Sequence, residues 1–336
     1  MPVSRRHALR LGGAVIAGTL AACSGGSSAL NGGSDSEPIS GAPQTVSGAM
    51  HAGGTRYSVQ DLSRAAIDEI QKIINAQGTY ENGVLDIEID RDDIEDVHWH
   101  GYRVLPSFEI NGDLFFQCLN GDTVYCNADI ALKASEVDPF IDALIRNNVT
   151  FQAHHQHYYS MEPDIWFIHF RKRGGAADVA RAIKNALDVT SAPFPQAPPP
   201  HPSTPLPAEE LGHIIGATPS IGANGVVGFL LPRANPMMLG GIEVNPYLNI
   251  ATNIFFQPTG GQNALVSPDI GMTAAEVQSV VAYMRRHDWD SGCLYNQETD
   301  EQPQLYFDHF IKAGNALQLA HEIRGALDLT DVKFMT

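Results

Sequence analysis

In the first half of the chain, apolar residues recur with the period of a helix in some segments and with the period of a strand in others. Leu62, Ala66 and Ile70 recur at helical spacing, and Ser58 precedes them as a candidate N-cap. Residues 85–90 then alternate apolar and acidic side chains, the period-2 pattern of a strand with one buried face. The pattern predicts helices packed against one face of a sheet.

The later elements of this half follow the same scheme. Strands are predicted around residues 114–116 and 124–132. Ser135 with Asp138 forms a candidate capping box for the next helix, as Thr273 with Glu276 does in the second half of the chain. Two more strands and a last helix complete the half. Because strand pairs joined by short turns alternate with helices, we predict an α+β fold with a mainly antiparallel sheet flanked by helices.

The second half of the chain repeats the first. His169 and His309 are 140 positions apart, and the same offset holds without insertion from Gly101 and Gly241 to the end of the last helix. Upstream of that span the offset is 142, as for Arg91 and Arg233. The fold class is therefore two homologous repeats. We assign residues 56–190 to the first repeat, 191–207 to a proline-rich linker and 208–336 to a second, degenerate repeat.

The N-terminus has the features of an export signal over residues 1–22. The pair Arg5-Arg6 resembles a twin-arginine signal, and a short apolar run follows it. Leu20-Ala21-Ala22-Cys23 resembles a bacterial lipobox, so Cys23 is the expected lipidation site. Residues 23–55 then form a flexible tether. We expect an exported lipoprotein, anchored to the cell envelope on its periplasmic or outer surface.

The net charge of the chain limits the classes of partner that it is expected to bind. The formal net charge is −17, which excludes nucleic acid as a natural partner. Membrane lipid through acylated Cys23 is the expected partner, and a small ligand or an envelope protein is a further candidate. Cys118 and Cys126 flank a turn, where a hairpin of suitable parity would allow a disulfide.

A histidine cluster is the main candidate for chemistry. If residues 149–159 form one strand, His155 and His157 share a face with Phe151 and Tyr159. The second repeat has Tyr295 and Gln297 at the two histidine positions, so the fold itself does not need the imidazoles.

His169 joins this cluster through the next strand. In the second repeat polar residues alternate with Leu305, Phe307 and His309, which identifies the buried face. His169 is therefore expected opposite or diagonal to one of His155 and His157. Three converging imidazoles favour a divalent transition metal, zinc or copper. His169 also fits the role of a buried core residue, because the second repeat has a histidine, His309, at the equivalent position.

Further candidate residues lie nearby in the sequence. His98 and His100 have the same one-face spacing and are absent from the second repeat, so they are additional candidate metal ligands. Glu162 lies beside the cluster and is a weak candidate for a catalytic base.

Three functions therefore stay open. The leading one is a membrane-anchored extracytoplasmic lipoprotein with a metal- or ligand-binding histidine site in the first repeat. The second is a metal-dependent hydrolase. The third is a non-enzymatic interaction or structural lipoprotein of the envelope, whose histidines only pack in the core. The sequence does not decide whether the protein is an enzyme.

Four segments of the first repeat together resemble the domain of bacterial lipoproteins of the LppY/LpqO type. They are Glu136-Val137-Asp138-Pro139, His155-Gln156-His157, Pro163 and Phe167-Ile168-His169-Phe170. The resemblance extends over about residues 58–190 and, as a decayed copy, over about 207–330. It implies an exported, two-domain lipoprotein and implies no particular activity.

Overall fold

The computed structural model describes residues 60–334. The export signal, Cys23, the tether and the candidate cap Ser58 lie outside the described residues. Within the described part, no helix is both long enough and apolar enough to cross a membrane.

The first repeat contains one large sheet, one small sheet and four helices. Its helices are α1 (Arg64–Ile74), α2 (Pro106–Glu109), α3 (Val137–Arg146) and α4 (Ala176–Leu187). Its strands are β1 (Thr79–Glu81), β2 (Val84–Glu88), β3 (His98–Trp99), β4 (Tyr102–Arg103), β5 (Asp113–Asn120), β6 (Thr123–Lys133), β7 (Thr150–His155), β8 (Met161–Glu162) and β9 (Ile165–Gly175). The large sheet has the order β1-β2-β5-β6-β9-β7, and the small one has the order β4-β3-β8.

The second repeat has the same arrangement. Its helices are α5 (Ala208–Ile215), α6 (Ala274–Arg286) and α7 (Ala316–Leu327). Its strands are β10 (Ser220–Ile221), β11 (Val227–Leu231), β12 (Met237–Leu239), β13 (Ile242–Val244), β14 (Thr252–Gly260), β15 (Asn263–Met272), β16 (Asp290–Tyr295), β17 (Glu301–Gln302) and β18 (Tyr306–Asn315). The sheet orders are β10-β11-β14-β15-β18-β16 and β13-β12-β17. All pairings within these sheets are antiparallel, so the predicted fold class is confirmed.

The helix caps agree with the sequence prediction in part. Thr273 and Glu276 form the predicted capping box of α6. In the first repeat the equivalent carboxylate is Glu136, whose Oε2 accepts from the backbone N–H of Lys133 at 2.9 Å. Ser135 and Asp138 were therefore the wrong pair, because a short 3-10 turn over 134–136 shifts the helix start. α1 is capped by Ser63.

Each large sheet has two buried faces. One face packs against the helices of its own repeat, as Phe116, Ile168 and Phe170 do in the first repeat. The other face packs against the sister repeat. Phe108 and Phe167 of the first repeat thus share a cluster with Leu265 and Ile311 of the second. The described residues thus form one apolar cluster under the helices of each repeat and two clusters that both repeats share.

The contacts between the repeats obey an approximate twofold symmetry. The backbone N–H of Leu105 donates to Oε1 of Gln257 at 2.9 Å. The equivalent residues with the roles of the repeats exchanged are Asn245 and Gln117, and that distance is 2.7 Å. The repeats therefore pack like the subunits of a symmetric dimer.

The two cysteines of the β5–β6 hairpin are both buried and free. Cys118 pairs with Val124 in the strand register, whereas Cys126 pairs with Phe116. The thiols are thus diagonal rather than opposite, and the disulfide considered from the sequence is not formed.

Each repeat is stabilised by a buried arginine–glutamate ion pair. Nη2 of Arg91 lies 2.8 Å from Oε2 of Glu136, and the same guanidinium donates to the carbonyl of Ala131. Oε1 of Glu136 also accepts from the backbone N–H of Ser191 at 2.7 Å. Burial would raise the pKa of Glu136, but the hydrogen bonds from Ser191 and Arg91 lower it below its ordinary value. The pair joins a strand end, a helix start and the chain beyond α4.

The second repeat contains the equivalent ion pair. Arg233 lies 3.0 Å from Glu276 and donates to the carbonyl of Gly271, and Glu276 accepts from the backbone N–H of Asp331 at 2.9 Å. Because these groups recur in both repeats, we assign them to the fold.

Replacing Arg91 by Met should lower the free energy of unfolding by about 3–5 kcal/mol, because Glu136 would lose its buried countercharge. The measurement is equilibrium unfolding in urea. Arg64→Met is the matched control, since Arg64 and its partner Asp68 have side chains 82% and 55% exposed. That change should cost less than about 0.5 kcal/mol. Equal effects of the two substitutions would contradict the structural role of Arg91.

Candidate functional site

The histidine segment begins on β7, at the edge of the first large sheet. β7 ends at His155, earlier than the strand predicted over residues 149–159, and its register shifts between Phe151 and Ala153. Phe151 and Tyr159, which were expected to face the core, are 37% and 71% exposed. The shift and the early end of the strand explain why simple alternation failed there.

His155 and His169 form the first contact of the site. Ala153 is opposite His169 in the register and His155 is opposite Phe167, so the two histidines are diagonal neighbours. Their Nε2 atoms are 2.9 Å apart. His155 also stacks on Tyr295 of the second repeat, with ring centroids 3.7 Å apart.

His157 lies beyond the strand and points toward a different set of residues. Its Nδ1 is 2.6 Å from Oε2 of Glu109, and its ring stacks on Phe167 with centroids 3.3 Å apart. The ring centroid of His309 is 3.7 Å away. Glu109 is the last residue of α2, and His309 lies on β18 of the second repeat.

Glu109, His157 and His309 form the candidate metal centre. Each offers one ligand atom, and these atoms all lie within 4.8 Å of one another. The side chains of His157 and Glu109 are 12% and 5% exposed, and that of His309 is 5% exposed. The centre is therefore buried where the two repeats meet.

A second layer of polar groups surrounds His309. Oδ1 of Asp269 is 3.4 Å from Nδ1 of His309, yet the two atoms lack hydrogen-bond geometry and neither has another hydrogen-bond partner. Oδ2 of Asp269 accepts from the hydroxyl of Tyr295 at 3.4 Å. With Asp269 beside Nδ1, Nε2 of His309 is the nitrogen best placed for a ligand.

Burial controls the ionisation of the three residues. It lowers the pKa of His309 to about 3 and that of His157 well below its ordinary value, with neighbouring imidazoles adding to the effect. Both rings are therefore neutral at physiological pH, the form that binds metal. Burial raises the pKa of Glu109 to about 8, although a hydrogen bond from Ser267 lowers it. A bound cation would favour the carboxylate.

The other predicted residues lie in the small sheet of the first repeat. His98 pairs with Glu162 in the strand register, and its Nδ1 is 2.8 Å from the carbonyl oxygen of Asp96. His100 is exposed, and its Nε2 is 3.6 Å from Asp290. Glu162 is exposed on β8. The structure thus brings together His155, His157 and His169. In contrast, His98, His100 and Glu162 have other neighbours.

Sequence reasoning missed Glu109 and gave His309 only a role in the fold. Glu109 reaches His157 across 48 residues of chain, so no local spacing revealed it. One signal was present in the alignment of the repeats: Glu109 corresponds to Asn249, a difference of the same kind as His157 and Gln297.

The twofold symmetry creates a second locus equivalent to the metal centre. There Asn249, Gln297 and His169 stand in place of Glu109, His157 and His309. Nδ2 of Asn249 donates to Asp129 at 3.1 Å, and Nε2 of Gln297 donates to the backbone carbonyl of Asn249. One locus therefore has a carboxylate and two imidazoles, and the other has two amides and one imidazole.

Comparison with known proteins identifies the family. The model of the family described as Domain of Unknown Function (DUF1259) matches residues 68–189 and again residues 209–329. The matches span more than half of the chain, so the chain belongs to this family, with the domain duplicated. No curated protein matches it.

Two solved structures show weak similarity. EtuB from Clostridium kluyveri is 11% identical, with 75% of this chain and 90% of that chain covered and a TM-score of 0.18. The trimeric bacterial microcompartment shell protein PduB is 11% identical, with 76% and 95% covered and a TM-score of 0.20. These TM-scores are too low to support any argument about function.

Proposed function

We propose that this protein binds a divalent transition metal ion through Glu109, His157 and His309. The observation that carries the proposal is the convergence of their ligand atoms within 4.8 Å at a buried point between the repeats. The fold does not need two of these side chains, because the equivalent positions of Glu109 and His157 carry amides. The sister locus, with Asn249 and Gln297, is equally buried without them.

The donor set suits a metal ion. Two neutral imidazoles and one carboxylate are a known zinc ligand set, which leaves a fourth position for water or another ligand. Tetrahedral bonds of about 2.0–2.1 Å place ligand atoms about 3.3 Å apart. The ligand atoms here lie within 4.8 Å of one another, and Nδ1 of His157 is 2.6 Å from Oε2 of Glu109, so small side-chain shifts would give that spacing. Zinc is the preferred candidate, and copper is the alternative for imidazole-rich sites. When bound, the ion would supply a Lewis acid.

His155 and His169 act beside the metal ligands in this proposal. Their Nε2 atoms face each other at 2.9 Å, and Nδ1 of His155 lies 3.5 Å from Sγ of Cys293. These contacts use both nitrogens of His155. The pair therefore supports the packing of Tyr295, whose hydroxyl donates to Asp269 behind His309.

Metal binding is better supported than hydrolysis. A hydrolase needs a base within hydrogen-bond reach of the metal-bound water. Glu162, the carboxylate considered for that role, is exposed on β8 and pairs with β3.

Elemental analysis of the full chain, purified without chelator and reconstituted with zinc, should give about one metal ion per chain. The pair His157→Ala/His309→Ala should lose it, as should the near-isosteric Glu109→Gln, which preserves packing. His154→Ala is the matched control, because His154 is exposed and lies three residues before His157 in the same segment. The proposal would be contradicted by substoichiometric metal in the reconstituted wild type, or by a folded double variant with the same metal content as wild type. Either result would favour a role of these histidines in packing.

The twofold symmetry provides a gain-of-function test. Asn249→Glu with Gln297→His converts the sister locus to the residues of the metal centre, with His169 as the third ligand. The number of bound zinc ions should rise from about one to about two per chain. Either single substitution alone should leave it at about one. A folded double variant that still binds one ion would show that these three positions do not define the site.

We also propose that a lipid on Cys23 holds the folded repeats at the cell envelope. The support is the sequence Leu20-Ala21-Ala22-Cys23 after a short apolar run and Arg5-Arg6. The resemblance to LppY/LpqO-type lipoproteins agrees with this proposal. A protein held in this way would present the metal centre outside the cytoplasm.

Changing Cys23 to Ala should move the protein from the membrane fraction to the soluble fraction, because the acyl chains would have no attachment site. Cell fractionation with mass spectrometry of the N-terminal peptide measures the change. A wild-type N-terminal peptide without acyl chains would refute the anchor, whatever the metal content of the protein.

A further inference from the structure

A second feature between the repeats is a cavity of about 560 Å³. It lies between the first three strands of the two large sheets, β1, β2 and β5 on one side and β10, β11 and β14 on the other. Its volume is in the range of pockets that hold small molecules. The metal ligands Glu109, His157 and His309 are not among its lining residues.

The twofold axis relates the two walls of this cavity, and the walls differ in charge. Phe115 and Phe255 are equivalent residues and both line it. The acidic wall of the first repeat comprises Glu81, Asp86, Glu88 and Asp113. Asp86, Glu88 and Asp113 correspond to Gly228, Leu230 and Asn253 in the opposite wall. Since the same sheet forms without carboxylates in the second repeat, the fold does not require them.

The acidic wall is costly in the absence of a cation. Glu88 and Asp113 are directly opposite each other in the β2–β5 register, where like charges destabilise a sheet. Oδ1 of Asp86 is shielded from solvent and has no hydrogen-bond partner. None of the residues that line the cavity is Lys, Arg or His. A positively charged ligand would remove this cost.

We propose that this cavity binds a linear aliphatic polyamine. The acidic wall does not have the compact set of three ligands typical of a metal site, since among residues 60–334 the group of that kind is the one at Glu109. Alternate residues on a strand are about 6.6 Å apart, a spacing that suits ammonium groups joined by short methylene chains. Phe115, Phe255 and Tyr247 provide apolar surface for the methylenes and aromatic faces for the ammonium groups.

The pKa shifts of the carboxylates in the acidic wall are consistent with a cationic ligand. Burial raises the pKa of Asp86 to about 8, and the neighbouring carboxylates of Glu88 and Asp129 raise it further. Burial likewise raises the pKa of Asp113 well above its ordinary value. Bound ammonium groups would compensate these carboxylates directly.

Isothermal titration calorimetry of the purified full chain with spermidine tests the proposal. Wild type should show saturable binding of about one spermidine per chain, and Asp86→Asn/Asp113→Asn should weaken it about tenfold or more. Asn is already the residue at the Asp113 position in the second repeat, so the fold accepts it. Glu209→Gln/Glu210→Gln, on the exposed side of α5, removes the same charge and should change binding less than about twofold.

Three results would overturn the proposal. They are no saturable binding to wild type, equal weakening by the two double variants, and displacement of spermidine by an equal concentration of magnesium. The last two would indicate non-specific attraction to an acidic protein. Because none of the substituted residues is a proposed metal ligand, zinc content measured on the same samples separates this outcome from a failure of the metal proposal.

Discussion

The face-to-face packing of the two large sheets is the contact on which the rest of the structure depends. Each sheet buries one face under its own helices, so the other face would be exposed in an isolated repeat. Aromatic and aliphatic side chains such as Phe167 and Ile311 close that second face. The symmetric hydrogen bonds of Gln117 and Gln257 fix the relative position of the repeats. The interface therefore supplies part of the hydrophobic core and the geometry of the sites within it.

Polar groups in such an interface cost free energy unless they are paired, so their distribution is informative. Arg91 with Glu136, and Arg233 with Glu276, recur in both repeats and stabilise the fold. Glu109 and His157 occur once, and their sister residues Asn249 and Gln297 fill the same space with amides. The difference separates residues that both copies use to fold from residues that one copy keeps although the fold does not need them.

The local elements were predictable because apolar periodicity reports directly on helices and strands. The repeat also identified the buried face that carries His169. The strand of His155 was misjudged beyond that residue, because the register shift near Phe151 depends on pairing with β9 rather than on local pattern. Glu109 could not be inferred from spacing, since only tertiary packing brings α2 to His157. His98 and His100 illustrate the converse, because suitable spacing did not bring them into the cluster.

The near-twofold relation of the repeats has a genetic consequence. In a homodimer every substitution appears twice, at both symmetric positions, so a ligand cannot be lost from one locus and kept at the other. Joining the two copies in one chain removes that restriction. Asn249 could then differ from Glu109, and Gly228 from Asp86, without loss of the shared interface. Duplication within one chain therefore allows one symmetric fold to carry two chemically distinct halves.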